Sequence, residues 1–201
     1  MPTPLFEPCI PTPGKVVPAG KDWLHEIKHD GYRLIVQRDG TRLRLFTRNG
    51  YDWADRFPLI REAALRNRCQ RFVIDGEAVL LGTDGRSDFN RLHSRRHNDE
   101  VQLYTFDILG IEGDNLRELP LHERKTRLAR LFARRVDGIF LSDFEQGEIG
   151  PDLYRHACLM GLEGLVSKHR DRPYRAGRSR DWIKVKNRNH PAMSRVMEAL
   201  S

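Results

Sequence analysis

The chain has 201 residues, with 35 Lys+Arg against 28 Asp+Glu, and 39% of it is hydrophobic. That length buries a core without disulfide or metal staples. No apolar run approaches the ~18 residues of a membrane span, and the first twenty residues hold six of the eleven prolines where a signal peptide would be apolar.

In chain order, residues 1–21 read as irregular, a Pro-rich arm over 1–20 leading into a domain over 21–188 and a tail over 189–201. Trp23 to Lys28 reads as a strand. Tyr32 to Arg38 and Arg42 to Thr47 alternate apolar and polar around Asp39-Gly40, a hairpin pattern, and Asn49-Gly50 makes another turn. Asp55 to Arg66 carries Phe57, Ile60, Ala64 and Leu65 at helical spacing. Phe72 to Leu81 is an apolar strand pair candidate that turns near Asp84-Gly85, and Ser87 to Arg96 reads as a short capped helix. Val101 to Leu109 is a strand, and Leu121 to Phe132 an amphipathic helix. Ile139 to Phe144 reads as one strand. Pro151 to Met160 is a helix with Pro151 near its start and Gly161 just past its end. Leu165 to His169 and Trp182 to Lys186 are strands, and Pro191 to Leu200 is expected to form a last helix. Strands cluster as hairpins with helices inserted irregularly, without a βαβ rhythm or a Gly-rich phosphate loop. The expectation is an α+β fold with antiparallel sheets.

The net charge of +7 suits a polyanionic partner. Arg outnumbers Lys 28 to 7, yet Lys28, Lys168, Lys184 and Lys186 lie on short segments with apolar flanks. A lysine can lose its proton and attack an electrophile; a guanidinium effectively cannot. Three cysteines, Cys9, Cys69 and Cys158, fit neither a disulfide framework nor a zinc site, so a cytoplasmic protein is expected.

Five segments concentrate charge within apolar strands. Glu26-Ile27-Lys28-His29-Asp30-Gly31-Tyr32-Arg33 puts Glu26 and Lys28 on one strand face, and the turn at Asp30-Gly31 brings Arg33 back towards them. Taken by itself, this segment reads more readily as a plain Asp-Gly turn with surface charges, since the chain has five Asp-Gly pairs. Val73 to Val79 holds Asp75 and Glu77 on either side of Gly76; carboxylates in an apolar run need a partner, a metal or a ribose hydroxyl, unless a hairpin turn exposes them. In Tyr104 to Leu109, Phe106 serves as core or as a flat wall for a base. Glu163 opens and Lys168 closes an apolar strand. Lys184 and Lys186 share a face at period two, where an anion between them would relieve their repulsion.

The order of these segments is more specific than any one of them. Lys-x-Asp-Gly-x-Arg, Arg-Asn-Gly, Asp-Gly-Glu, Phe-Asp-x-Leu, Glu-Gly-Leu-Val-x-Lys and Trp-x-Lys-x-Lys follow one another as in the covalent nucleotidyltransferases. The chain resembles the adenylation domain of ATP-dependent DNA ligases over about residues 20–188, and is most similar to the ligase module of bacterial end-joining ligases in Glu-Ile-Lys-x-Asp-Gly-Tyr-Arg, Gly-Arg-Ser-Asp-Phe and Pro-Tyr-Arg-x-Gly-Arg-Ser-x-Asp-Trp. The resemblance implies two antiparallel sheets flanked by helices, with ATP in the groove between them. It implies Lys28 as the nucleophile that takes AMP, with Asp30 in support. Glu26 would lie beside the adenine, Phe106 would stack on it, and Glu77 would hold the ribose with Asp75 supporting that loop. Arg33 and Arg48 would meet the ribose side and the nick phosphates. Lys184, Lys186 and Lys168 would face phosphates, and Glu163 with Glu77 would serve Mg²⁺ or Mn²⁺.

These implications suit the residue types. A free lysine amine, with an ordinary value of ~10.4, is almost wholly protonated near neutrality, and neighbouring cations favour the neutral nucleophile. Carboxylates are hard donors suited to Mg²⁺ or Mn²⁺. The implied partner is nicked or broken duplex DNA, with the protein a monomer near the bacterial nucleoid. Only 15 residues follow Lys186, too few for the OB-fold domain that the family carries there. The expectation is therefore an adenylation domain without that barrel, working alone or completed by a separate repair protein. Two other readings share the lysine motif: a ligase-like protein that binds ATP or DNA ends without sealing, and an RNA ligase or guanylyltransferase-type enzyme.

Overall fold

The structure is a computed structural model that describes residues 6–134 and 136–193. It begins with β1 (Cys9–Pro13), β2 (Trp23–Ile27), β3 (Tyr32–Asp39), β4 (Arg42–Thr47), α1 (Pro58–Arg66) and β5 (Arg71–Val79). Next come α2 (Phe89–His93), β6 (Gln102–Ile111), β7 (Asp114–Asn115) and α3 (Leu121–Leu131). The last elements are β8 (Ile139–Leu141), β9 (Phe144–Gln146), α4 (Gly150–Leu159), β10 (Gly164–His169) and β11 (Gly177–Lys186). They form two sheets, ordered β1-β11-β10-β2-β9 and β4-β3-β5-β6-β7, with β8 added beside β6. No helix among the described residues is long and apolar enough to cross a membrane.

The expected α+β architecture is present, with three local corrections. The Pro-rich arm is not wholly irregular: Cys9–Pro13 is an edge strand that pairs in parallel with β11. Prolines are compatible with an edge because one side of the strand needs no donors. The expected strand over Ile139–Phe144 is two strands in different sheets, since β8 pairs with β6 and β9 with β2. The chain crosses between sheets at Ser142-Asp143. Phe72 to Leu81 belongs mainly to the single strand β5, and the turn beyond it is closed by a Leu81–Ser87 bridge. The helix expected over Pro191–Leu200 lies mostly outside the described residues.

The elements follow from local chemistry. Asp39-Gly40 turns β3 into β4 with Gly40 at φ 61°, and the Asp88 side chain caps α2 by accepting from the Arg91 amide at 3.0 Å. Gly161, at φ 70°, ends α4 in the left-handed conformation. The main core lies between the helices and the outer face of the second sheet, built from residues such as Leu34, Phe57, Ile60, Ile74 and Leu128. A smaller core of Ile35, Phe46, Val73, Leu109, Tyr174 and Trp182 fills the space between the two sheets.

Charge also enters the core. The guanidinium of Arg124 on α3 donates to both carboxylate oxygens of Asp107 on β6, at 2.8 and 3.0 Å, and both side chains are fully buried. Taking one partner away strands the other charge, which costs about 3–5 kcal/mol. Arg124→Met should therefore lower unfolding stability in urea by about that much, and adding Asp107→Leu should recover most of the loss. A single-variant cost below about 1 kcal/mol would contradict this reading of the pair.

Candidate active site

A cavity of about 150 Å³ opens between the sheets. Glu26, Lys28, Lys168, Trp182 and Lys184 line it from the first sheet, and Arg33, Arg48, Glu77 and Phe106 from the second. Lys28 follows the last residue of β2, and its amide donates to the Gly164 carbonyl at 2.9 Å. Gly164 is at φ 141°, and a Cβ there would collide with the Val185 carbonyl oxygen. Only glycine lets β10 start this close to β11, which sets Glu163 beside Lys28. Gly31 plays the same part at the next turn: a Cβ would strike the Ala78 carbonyl oxygen. The close approach pairs Arg33 with Glu77 across β3 and β5.

Around Lys28 the charges are tightly placed. Its ammonium lies 2.6 Å from Glu163 Oε2, and Lys186 lies 3.0 Å from the other oxygen. Burial pushes the Glu163 carboxyl up, but Lys28 and Lys186 outweigh it and hold the group below its ordinary value. Lys184 is pushed down, by burial first and then by the like charges of Lys28, Lys186 and Arg48. Glu77 is the opposite case. Burial lifts it to about 7 despite the attraction of Lys28 and Arg33, and among the described residues its carboxylate accepts no hydrogen bond.

The far end of the cavity is built on a second cluster. Glu26 is buried, with Lys168 at 2.8 Å from one oxygen and Lys125 at 2.8 Å from the other. Burial alone would raise the Glu26 carboxyl, yet the two lysines hold it below its ordinary value. Burial drives Lys168 itself down to about 8. Its ammonium sits 3.9 Å from the centre of the Phe106 ring and 4.2 Å from that of Trp182. Lys125 also donates to the Phe106 carbonyl at 3.1 Å.

Eight of the twelve residues expected at the site line the cavity: Glu26, Lys28, Arg33, Arg48, Glu77, Phe106, Lys168 and Lys184. Glu163 joins through Lys28, and Lys186 through Glu163. Asp75 lies behind the wall, where it accepts both hydrogen bonds of the Arg33 fork at 2.6 Å. Asp30 instead lines a separate cleft with Arg86, Asn90 and His190. Lys168, expected to face phosphate, is committed to Glu26. Sequence reasoning missed Lys125 and Tyr174. The signal for Lys125 was its place on the inner face of α3, next to Arg124 and between Leu121 and Leu128, where an apolar side chain is expected.

The model of the ATP dependent DNA ligase domain matches residues 12–186. The chain belongs to this family. The ligase domain is shared with the multifunctional non-homologous end joining protein LigD of Pseudomonas aeruginosa, 36% identical over 189 residues, covering 92% of this chain and 22% of that protein. The LigD of Mycolicibacterium smegmatis is 32% identical over 90% of this chain and 24% of its own length. The chain thus spans about a quarter or less of these relatives. Mycobacterial DNA ligase D complexed with ATP and MES superposes with a TM-score of 0.78 at 29% identity, over 90% of this chain and 60% of that one. Chlorella virus DNA ligase-adenylate, at 16% identity and a TM-score of 0.65 over 91% of this chain and 69% of that one, shares the fold.

The raised Glu77 carboxyl has a signed consequence for this ligase domain. The folded state holds that proton more tightly than the unfolded chain, so the contribution favours folding below about 4.5 and is lost as pH rises through about 7. Glu77→Gln keeps a neutral group at every pH. Its melting temperature relative to the parent should rise from about pH 5 to about pH 7 and level off above that. A difference that stays constant across this range would contradict it.

Proposed function

We propose that this domain takes AMP from ATP onto Lys28 Nζ as a phosphoramide and passes it to a 5′-phosphate in nicked or broken duplex DNA, after which a 3′-hydroxyl closes the phosphodiester. The observation that carries the reading is the Lys28 amine at 2.6 Å from Glu163, at a cavity that Lys184, Arg48 and Arg33 make strongly cationic. In the first step a P–N bond forms to the α-phosphorus, the α–β P–O bond breaks, and pyrophosphate leaves with the electron pair. The amine must shed a proton, and Glu163 Oε2, 2.6 Å from Nζ, is the carboxylate within hydrogen-bond reach to take it. Arg48, Lys184 and Lys186 would stabilise the charge that develops on the phosphate oxygens. Phe106, half-buried and edge-on to Trp182 at 6.1 Å, offers the flat surface for a base.

A divalent cation fits this chemistry in part. Glu77 and Glu163 are two hard carboxylates within electrostatic reach of each other. Among the described residues, no group of three or more His, Cys, Asp or Glu could hold an ion alone. Mg²⁺ or Mn²⁺ would be held by these two carboxylates together with oxygens of the triphosphate, and would supply charge neutralisation there.

Incubation with ATP and Mg²⁺ should add one AMP by intact mass, and peptide mapping should place it on Lys28. Lys28→Ala and Lys28→Arg should both lose the adduct, the second because guanidinium keeps its proton. An adduct that persists in Lys28→Ala, or one formed from GTP in preference to ATP, would overturn the assignment.

A further inference from the structure

A second cationic site lies well away from the nucleotide cavity. Five arginines, Arg66, Arg68, Arg127, Arg130 and Arg134, line a depression of about 700 Å³ at the ends of α1 and α3, and no carboxylate is among the described residues that line it. All five are exposed. The depression shares no lining residue with the cavity. Ile111 at its edge stands five residues along β6 from Phe106, which is about 17 Å of strand.

Ordinary structural duties do not account for this charge. Arginines at helix C-termini commonly satisfy the last carbonyls. Here other side chains already do so. Arg38 donates to the carbonyls of Ala64, Asn67 and Cys69 at the end of α1, at 2.7–2.9 Å. Asn67 donates to the Leu131 carbonyl at the end of α3, at 2.8 Å. Of the five arginines, Arg66 has Glu62 at 3.2 Å. Among the described residues, Arg68, Arg127, Arg130 and Arg134 have no carboxylate partner. Glu112, beside the rim, accepts from the Cys69 thiol at 2.8 Å and offsets at most one of them at longer range. Each helix end supplies about half a negative charge, so the two together offset one more arginine. Among the described residues, roughly two positive charges remain converged without a counter-charge, an excess that favours an anion in the depression.

We propose that this arginine depression is a second docking point for the phosphodiester backbone of duplex DNA, separate from DNA seated at the nucleotide cavity. Exposed guanidinium forks pair with phosphate oxygens in any base sequence. An open depression suits a backbone that passes across it more than an enclosed small anion. The proposal stands on this charge balance and does not require AMP transfer at Lys28.

The test compares two triple variants. Arg127→Gln/Arg130→Gln/Arg134→Gln removes three charges from the depression, and Arg42→Gln/Arg61→Gln/Arg155→Gln removes three exposed charges elsewhere. Binding of a short blunt duplex without a nick is followed by anisotropy between about 50 and 200 mM salt. The depression variant should bind more weakly, with a log–log salt slope shallower by up to about 2.7, or about 0.9 for each phosphate no longer neutralised. The control variant should change the slope by less than about 0.9. Both should keep the parent's melting temperature and its AMP loading. Equal slopes in the two variants, or a parent-like slope in the depression variant, would overturn the proposal. So would polyglutamate that binds the parent and not the depression variant while duplex binding is unchanged, since that would make the ligand an acidic protein. If the parent itself loads no AMP, the nucleotidyl-transfer reading fails, and the salt slopes still decide this one.

Discussion

Asp75 is fully buried between the sheets, and both walls of the cavity hang on it. Its carboxylate accepts the Arg33 fork at 2.6 Å to each oxygen and the Tyr174 hydroxyl at 2.6 Å. Arg33 also donates to the Cys9 carbonyl at 3.1 Å, and the Tyr174 hydroxyl accepts from the Cys9 amide at 2.8 Å. One carboxylate thereby joins β3 and β5 of the second sheet to β1 and the loop before β11 of the first. An unpartnered carboxylate at this depth would cost several kcal/mol. With three donors it is satisfied, and any displacement of one sheet against the other breaks a charged hydrogen bond. The distance between Phe106 and Trp182, and between Arg33 and the lysines of β11, is fixed by that restraint.

The charges that face the cavity complete the arrangement. Lys28, Lys184, Lys186 and Arg48 exceed the carboxylates Glu163 and Glu77 beside them, so the site is short of negative charge. Glu163 is divided between Lys28 and Lys186, which keeps both amines in place without filling the space in front of them. Further back, Glu26 is neutralised twice over by Lys125 and Lys168, which gives the base end of the cavity its own rigid cluster. A triphosphate would restore the balance at the front; nothing need move at the back.

Much of this was legible in the sequence because the relevant signals are local. Alternation predicts β3 and β4, helical spacing predicts α1, and the charged motifs at strand ends bring Lys28, Glu77, Glu163 and Lys184 to one place. What was not legible depends on pairings distant in sequence. The pairing of β1 with β11 joins residues about 170 apart and leaves no local pattern, and the prolines around it masked the strand. The split of Ile139–Phe144 into β8 and β9 is decided by which sheet each half meets, not by propensity. Lys125 and Arg124 stand on the inward face of α3 with Leu121 and Leu128, but what they meet there is not local, because their carboxylate partners Glu26 and Asp107 lie on other strands. Tyr174 sits in a loop, where an aromatic residue carries no periodicity to identify it.

If the Asp75 junction holds the two walls together, the Ile10 and Thr12 amides of β1 should report its loosening by backbone hydrogen exchange. Tyr174→Phe removes one hydroxyl and leaves the ring against Trp182, at 5.7 Å, in place. Exchange at those β1 amides should become at least roughly tenfold faster, while the central strands β3 and β5 keep their protection. Parent-like protection of β1 in that variant would contradict this role of the junction.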